Sequence, residues 1–183
     1  MFSFDFSNVS LNRPPSEAGV YTVKITDVDS YKARSGALRI GFKSTITDGD
    51  HEGCTINDGF NIPKSMSAKG ISFWVDFFES LGMNKSEWSS AFSLPDLTVT
   101  ESDWADMSAK QRDKMEEKVM NAVADCLRET CVGLVGYCYY APAVEEGSYP
   151  TKRWVKKSDV KKKQAAIAAA PATNSALDGF INL

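Results

Sequence analysis

The stretch Ala18-Gly-Val-Tyr-Thr-Val-Lys-Ile-Thr-Asp-Val-Asp29 decides the fold class. Tyr21, Val23 and Ile25 fall on one face, and Val20, Thr22 and Lys24 on the other. That alternation with period two is the signature of a half-buried strand. Residues 30–36, Ser-Tyr-Lys-Ala-Arg-Ser-Gly, read as a connection. A second strand follows, with Leu38, Ile40, Phe42 and Ile46 inward and Arg39, Lys43 and Thr45 outward. Gly41 within it suggests a bend or bulge. The Asp48-Gly49 turn leads into a third strand, Cys54 to Ile62. The first sixty residues therefore spell a β-meander.

Beyond the meander the period changes from two to 3.6. Ile71, Trp74, Val75, Phe78 and Leu81 recur at helical spacing, with Ser67 as the N-cap and Gly82 as the C-terminal cap. Trp74, Phe77 and Phe78 are assigned to the core. Residues 84–129 are acidic and helix-prone and read as a helical insertion. Ser108-Ala-Lys-Gln111 is a capping-box pattern, and Met115, Val119, Val123 and Cys126 or Leu127 continue it as an apolar stripe. Trp88, Phe92 and Trp104 add aromatic anchors. Strand structure resumes over Cys131–Ala141 and, after the turn-like stretch 142–147, over Tyr149–Val155. Residues 164–176 are Ala-rich without apolar periodicity and read as a flexible linker. They end in the apolar tip Leu-Asp-Gly-Phe-Ile-Asn-Leu183. Such a tip either recruits a partner protein or docks on its own domain.

Composition narrows the function classes. With 183 residues, 43% hydrophobic and 25% charged, the chain supports one globular domain with a tail. The longest apolar runs, such as 132–143, are too short and too polar for a membrane span. Met1-Phe-Ser-Phe-Asp-Phe lacks the pattern of a signal peptide. Cys54, Cys126, Cys131 and Cys138 show no CxxC spacing, and His51 is the single histidine, so a zinc site is not expected. The thiols read as reduced, small hydrophobes. No cofactor is implied. The net charge of −3 is unevenly spread. Residues 152–163 carry a net +6, residues 24–43 a net +3, and residues 84–129 a net −4. Positive charge gathered in two places attracts an anionic polymer locally, even on an acidic protein.

Five strands with a helix after the third is the element order of an OB fold, a small barrel used for single-stranded nucleic acid. Aromatic and basic residues fall where such a site needs them. Tyr31, Lys32 and Arg34 lie in the first connection, and Arg39 and Lys43 on the outer face of the second strand. The last hairpin carries Tyr137, Tyr139, Tyr140, Tyr149, Lys152, Arg153 and Trp154, with Lys156 just beyond. Cations track phosphates while aromatic faces stack on bases, which tolerates any sequence. The candidate contacts are Tyr31, Lys32, Arg34, Arg39, Lys43, Tyr139, Lys152, Arg153, Trp154 and Lys156.

Three motifs carry a resemblance: Gly19-Val-Tyr-Thr-Val-Lys-Ile25, Leu38-Arg-Ile-Gly-Phe42 leading to Asp48-Gly49 and Gly53, and Gly70 through Phe-Phe-Glu-Ser-Leu-Gly82. Together with the plan of basic residues, linker and aromatic tip, they resemble the phage-encoded single-stranded DNA-binding proteins with an OB fold. The resemblance spans about residues 15–82 and 130–156 and the tail. It implies a non-enzymatic protein in the cytoplasm of an infected bacterium, coating single strands during replication and recombination. It also implies a division into an OB domain, 1–160, and a linker with partner-binding tip, 161–183. Tails of that family are strongly acidic. This one has only Asp178 and the terminal carboxylate, so the expected contacts for replication or recombination proteins are Asp178, Phe180, Ile181 and Leu183, with Phe180 and Ile181 foremost. The insertion lies outside the minimal fold and would mediate self-association, cover a barrel end or hold a partner.

Two other readings compete. A nuclease or its accessory subunit would use carboxylates such as Asp48, Asp50, Glu52 and Asp58, but these sit in a turn where solvation explains them. An interaction adaptor would use the insertion and the tail, and leave the tyrosines as barrel side chains.

Overall fold

The computed structural model describes residues 13–62, 68–84, 86–87, 105–145 and 147–169. Its elements run β1 (Gly19–Lys32), β2 (Leu38–Ile46), β3 (Thr55–Asn61), α1 (Ala68–Ser80), α2 (Ala109–Cys131), β4 (Val135–Ala141), β5 (Thr151–Trp154) and α3 (Val160–Ala169), with a 3-10 turn over Lys157–Asp159 before α3. The five strands form one antiparallel sheet in the order β3-β2-β1-β4-β5, curled into a nearly closed, OB-like barrel.

β1 is the central strand and pairs on both sides, which is why its pattern decides the fold. Val23 and Ile25 point into the core as the alternation requires. The ladder with β2 then shifts between Ile25 and Asp27, so Val28 and not Asp27 faces inward. The register shift lies here, while the ladders on both sides of Gly41 run on without one. β1 also runs on through Lys32, so Tyr31 and Lys32 stand on a strand and not in the connection.

The core is aromatic. The Phe42 and Phe77 rings lie 4.2 Å apart, and Phe77 meets Trp154 edge-on at 4.7 Å. Trp74 and Phe78 stack beside them, and the Trp74 indole donates to the Asn61 carbonyl at 3.1 Å. α1 supplies Trp74, Phe77 and Phe78, as its periodicity predicts. The helix ends on Gly82 at φ +79°, where the Met83 N–H reaches back to the Phe78 carbonyl at 3.0 Å. The predicted cap at Ser67 lies outside the described residues, as do Trp88, Phe92 and Trp104.

α2 opens on the predicted capping box, Ser108 and Gln111 bonding each other's backbone. It runs past the expected end of the insertion, because Thr130 and Cys131 continue the helix and β4 begins only at Val135. Val123, Ala124, Leu127 and Cys131 belong to the same core cluster as the barrel residues. The helix is therefore a wall of the domain, packed on β1 and β2.

α3 occupies Val160–Ala169, so the first residues read as linker are helical. Ala, Lys and Gln are among the strongest helix formers, and propensity here acts without an apolar stripe. The helix packs against β1. Tyr139 and Val155 are buried yet stand outside the main core cluster. The tip residues Asp178, Phe180, Ile181 and Leu183 lie outside the described residues.

Candidate nucleic-acid interface

The outer faces of β1, β2 and β3 meet in transverse rows set by the ladder. One row is Tyr31–Arg39–Asn61, the next Asp29–Gly41–Gly59, the next Asp27–Lys43–Asn57. The middle row has two glycines, and this creates a floor. A Cβ on Gly41 would lie 2.1 Å from Asp29 Oδ1 and 3.2 Å from the Tyr31 ring, and one on Gly59 would lie 3.0 Å from the Tyr31 hydroxyl. A side chain at either glycine would crowd the Asp29 carboxylate or the edge of the Tyr31 ring, which lie over this row. The resulting groove, of about 220 Å³, is lined by Asp27, Asp29, Tyr31, Gly41, Phe42, Lys43, Asn57 and Asp58.

Tyr31 is 40% exposed. Arg39 lies 5.7 Å from its ring centre, within cation–π range, and its guanidinium donates to the Gly59 carbonyl. Lys43 is exposed, and among the described residues it has no ion pair. Three sequence candidates therefore share one surface with an aromatic face and two cations. The groove also holds carboxylates that sequence reading passed over. Asp27 Oδ1 accepts from the Val28 N–H at 2.8 Å and lies 3.7 Å from Arg128 of α2. Asp29 stands above Gly41.

Lys32 is at the edge of this surface but faces α2. Its ammonium lies 2.8 Å from Glu116 and 3.2 Å from Asp113, which raise its pKa despite some desolvation. The neighbouring Ser30 hydroxyl donates to Asn121 at 3.0 Å. Arg34 is exposed in the 33–37 turn that joins β1 to β2.

The last hairpin does different work. The barrel has no backbone ladder between β3 and β5, and side chains close that seam. The Trp154 indole donates to Asp58 at 3.0 Å. Lys152 lies 3.6 Å from the same carboxylate and donates to the Asn57 carbonyl. Asp58 also accepts from the Gly59 N–H at 2.8 Å. It is a seam residue on β3 and not a solvated turn carboxylate. Trp154, at 7% exposed and edge-on to Phe77, has no open face to stack on a base, which corrects the sequence expectation. Tyr139 is 3% exposed, and burial raises its phenol pKa. It too is unavailable for stacking as the fold stands. Tyr140 is buried in the core and Tyr137 half-buried. Arg153 is exposed across from Tyr139. Lys156 pairs with Glu79 of α1 at 2.5 Å, which raises the lysine pKa.

The remaining chemistry is structural. Cys54, Cys131 and Cys138 are buried free thiols, and burial pushes Cys131 up to about 12 and Cys138 higher still. Among the described residues no three His, Cys, Asp or Glu side chains come together as metal ligands, and no helix is long and apolar enough to cross a membrane. No known family model matches the chain, and no curated protein is significantly similar to it.

Proposed function

We propose that this protein binds single-stranded DNA, largely without sequence preference, on the outer face of β1, β2 and β3. The observation that supports this reading best is the groove itself. Tyr31 lies over the Gly41–Gly59 floor with Arg39 and Lys43 on the adjoining strand. The ring stacks on a base, and the two cations neutralise phosphates on either side of it. The OB-like barrel puts that face on a rigid sheet. The motif resemblance to phage-encoded single-stranded DNA-binding proteins extends the reading to coating of single strands in replication and recombination, with the tail recruiting partners.

Anisotropy of a labelled oligo-dT, titrated at two salt concentrations beside a duplex control, tests the reading. Single-strand binding that weakens with salt is expected. With about four phosphates neutralised, the log–log slope is about −3. Equal affinity for duplex, or no binding at low salt, overturns it.

The alternative is an interaction adaptor or accessory subunit of a DNA-processing enzyme. Its support is the cleft between the end of β1 and α2, lined by Ser30, Lys32, Asp113, Glu116, Met120 and Asn121 among others. That reading predicts no binding to oligo-dT.

A further inference from the structure

The groove is charged asymmetrically, and the asymmetry has a consequence for which bases it holds. Lys43 of β2 lines the groove, with Arg39 of the same strand beside Tyr31; Asp27 and Asp29 of β1 line it too, and a third carboxylate, Asp58 of β3, is already held by Lys152 and the Trp154 indole. A phosphate passing over β1 would meet like charge, so a bound strand must run its backbone along β2. Whatever lies over β1 must then bring hydrogen-bond donors, because an ionised carboxylate only accepts.

The two carboxylates of β1 differ in what already occupies them. Asp27 takes a backbone N–H and sits near Arg128. Asp29, among the described residues, has no ion pair and no side-chain hydrogen bond. It is also placed by the fold. One oxygen stands over Gly41, beside the same spot that the Tyr31 ring edge approaches at 3.2 Å. A carboxylate without a side-chain partner thus stands beside the ring on which a base would stack.

We propose that Asp29 reads the Watson–Crick edge of the base stacked on Tyr31 and biases the site toward guanine. The inference rests on the single-strand reading given above. Guanine offers two adjacent donors, N1–H and the N2 amino group, that match the two carboxylate oxygens. Adenine and cytosine each set one amino donor beside a ring-nitrogen acceptor, and thymine sets its N3–H between two carbonyls. Those acceptors face Asp29 with repulsion. Hydrogen bonds to this edge of splayed bases are how RNA-binding proteins read single strands; stacking alone would give only a modest preference. The result is a bias at one base position on a site that otherwise accepts any strand.

The test compares a short oligo-dT with the same strand carrying one central guanine, and with inosine in place of that guanine, at fixed salt. Wild-type protein is expected to bind the guanine strand on the order of tenfold more tightly than oligo-dT. Inosine, which lacks the N2 amino group, loses most of that gain. The Asp29→Asn variant binds the guanine strand and oligo-dT alike. Its circular dichroism matches wild type. Binding to oligo-dT with no guanine preference overturns this inference and leaves the single-strand reading standing. A preference that survives Asp29→Asn also overturns it. Failure to bind any of the strands overturns the single-strand reading, and the guanine bias with it.

Discussion

The groove on β1–β3 and the hairpin β4–β5 are built from the same residue types, and they do opposite things. Each pairs aromatic side chains with cations on neighbouring strands. In the groove, Tyr31 lies over the glycine row and, like Lys43, is exposed to solvent. In the hairpin, Trp154 and Lys152 converge on Asp58, and the protein itself takes up their hydrogen bonds. The difference is topological. β1 and β2 have both backbone edges paired within the sheet, so their outward side chains have no closure to perform. β3 and β5 are the ends of the sheet, and their side chains must supply the contacts that a missing ladder does not. On β1 and β2 the aromatic–basic cluster is left open to solvent, while on β5 it is drawn into the closure of the barrel.

This contrast can be broken by mutation. The largest effect is expected at the seam. Trp154→Ala removes a buried ring from the core, costing about 3–5 kcal/mol by urea denaturation. A loss under about 1 kcal/mol would mean the indole is not the seam's anchor. Asp58→Ala strands the indole N–H and the Lys152 ammonium together. It is expected to cost about 2–3 kcal/mol, since hydrogen bonds to a charged group are the strong ones. Thiol labelling gives an independent view of the same closure. Burial keeps Cys138 protonated at neutral pH, so it resists alkylation in the wild type, and Trp154→Ala speeds its reaction as the seam opens.

The groove should respond in binding and not in stability. Tyr31→Ala is expected to weaken oligo-dT binding by about 1–3 kcal/mol, while stability changes by about 0.5 kcal/mol or less. A fall in stability matching that of Trp154→Ala would erase the distinction between the two regions. The smallest and sharpest contrast is between two lysines of neighbouring strands. Lys43→Ala lowers the salt slope by about 0.7, the share of one phosphate contact. Lys32→Ala leaves the slope unchanged, because Glu116 and Asp113 already hold that ammonium.

Much of this architecture is legible in the sequence, and what is not legible has identifiable causes. The alternation of Val23 and Ile25, the Trp74–Phe78 stripe and the Ser108–Gln111 box are local patterns, and each appears where its spacing puts it. The bulge after Ile25 escapes notice because a one-residue shift leaves hydrophobic residues on both phases. Gly41 reads as a bend, since a sequence does not reveal that the carboxylate of Asp29 and the ring of Tyr31 need its space. The partner of a charge is a long-range fact. Lys32 and Glu116 are 84 residues apart, as Trp154 and Asp58 are 96 apart, and no local window relates them. The helix at 160–169 has no apolar stripe, so only the propensity of its Ala, Lys and Gln residues signals it.

Amide chemical-shift mapping during an oligo-dT titration tests the central claim most directly, since it reports both regions at once. Shifts concentrated at Asp27–Tyr31, Arg39–Lys43 and Asn57–Asn61, with Tyr137–Ala141 and Thr151–Trp154 nearly still, are the predicted result. Shifts concentrated in the hairpin, with the groove unmoved, would contradict the account.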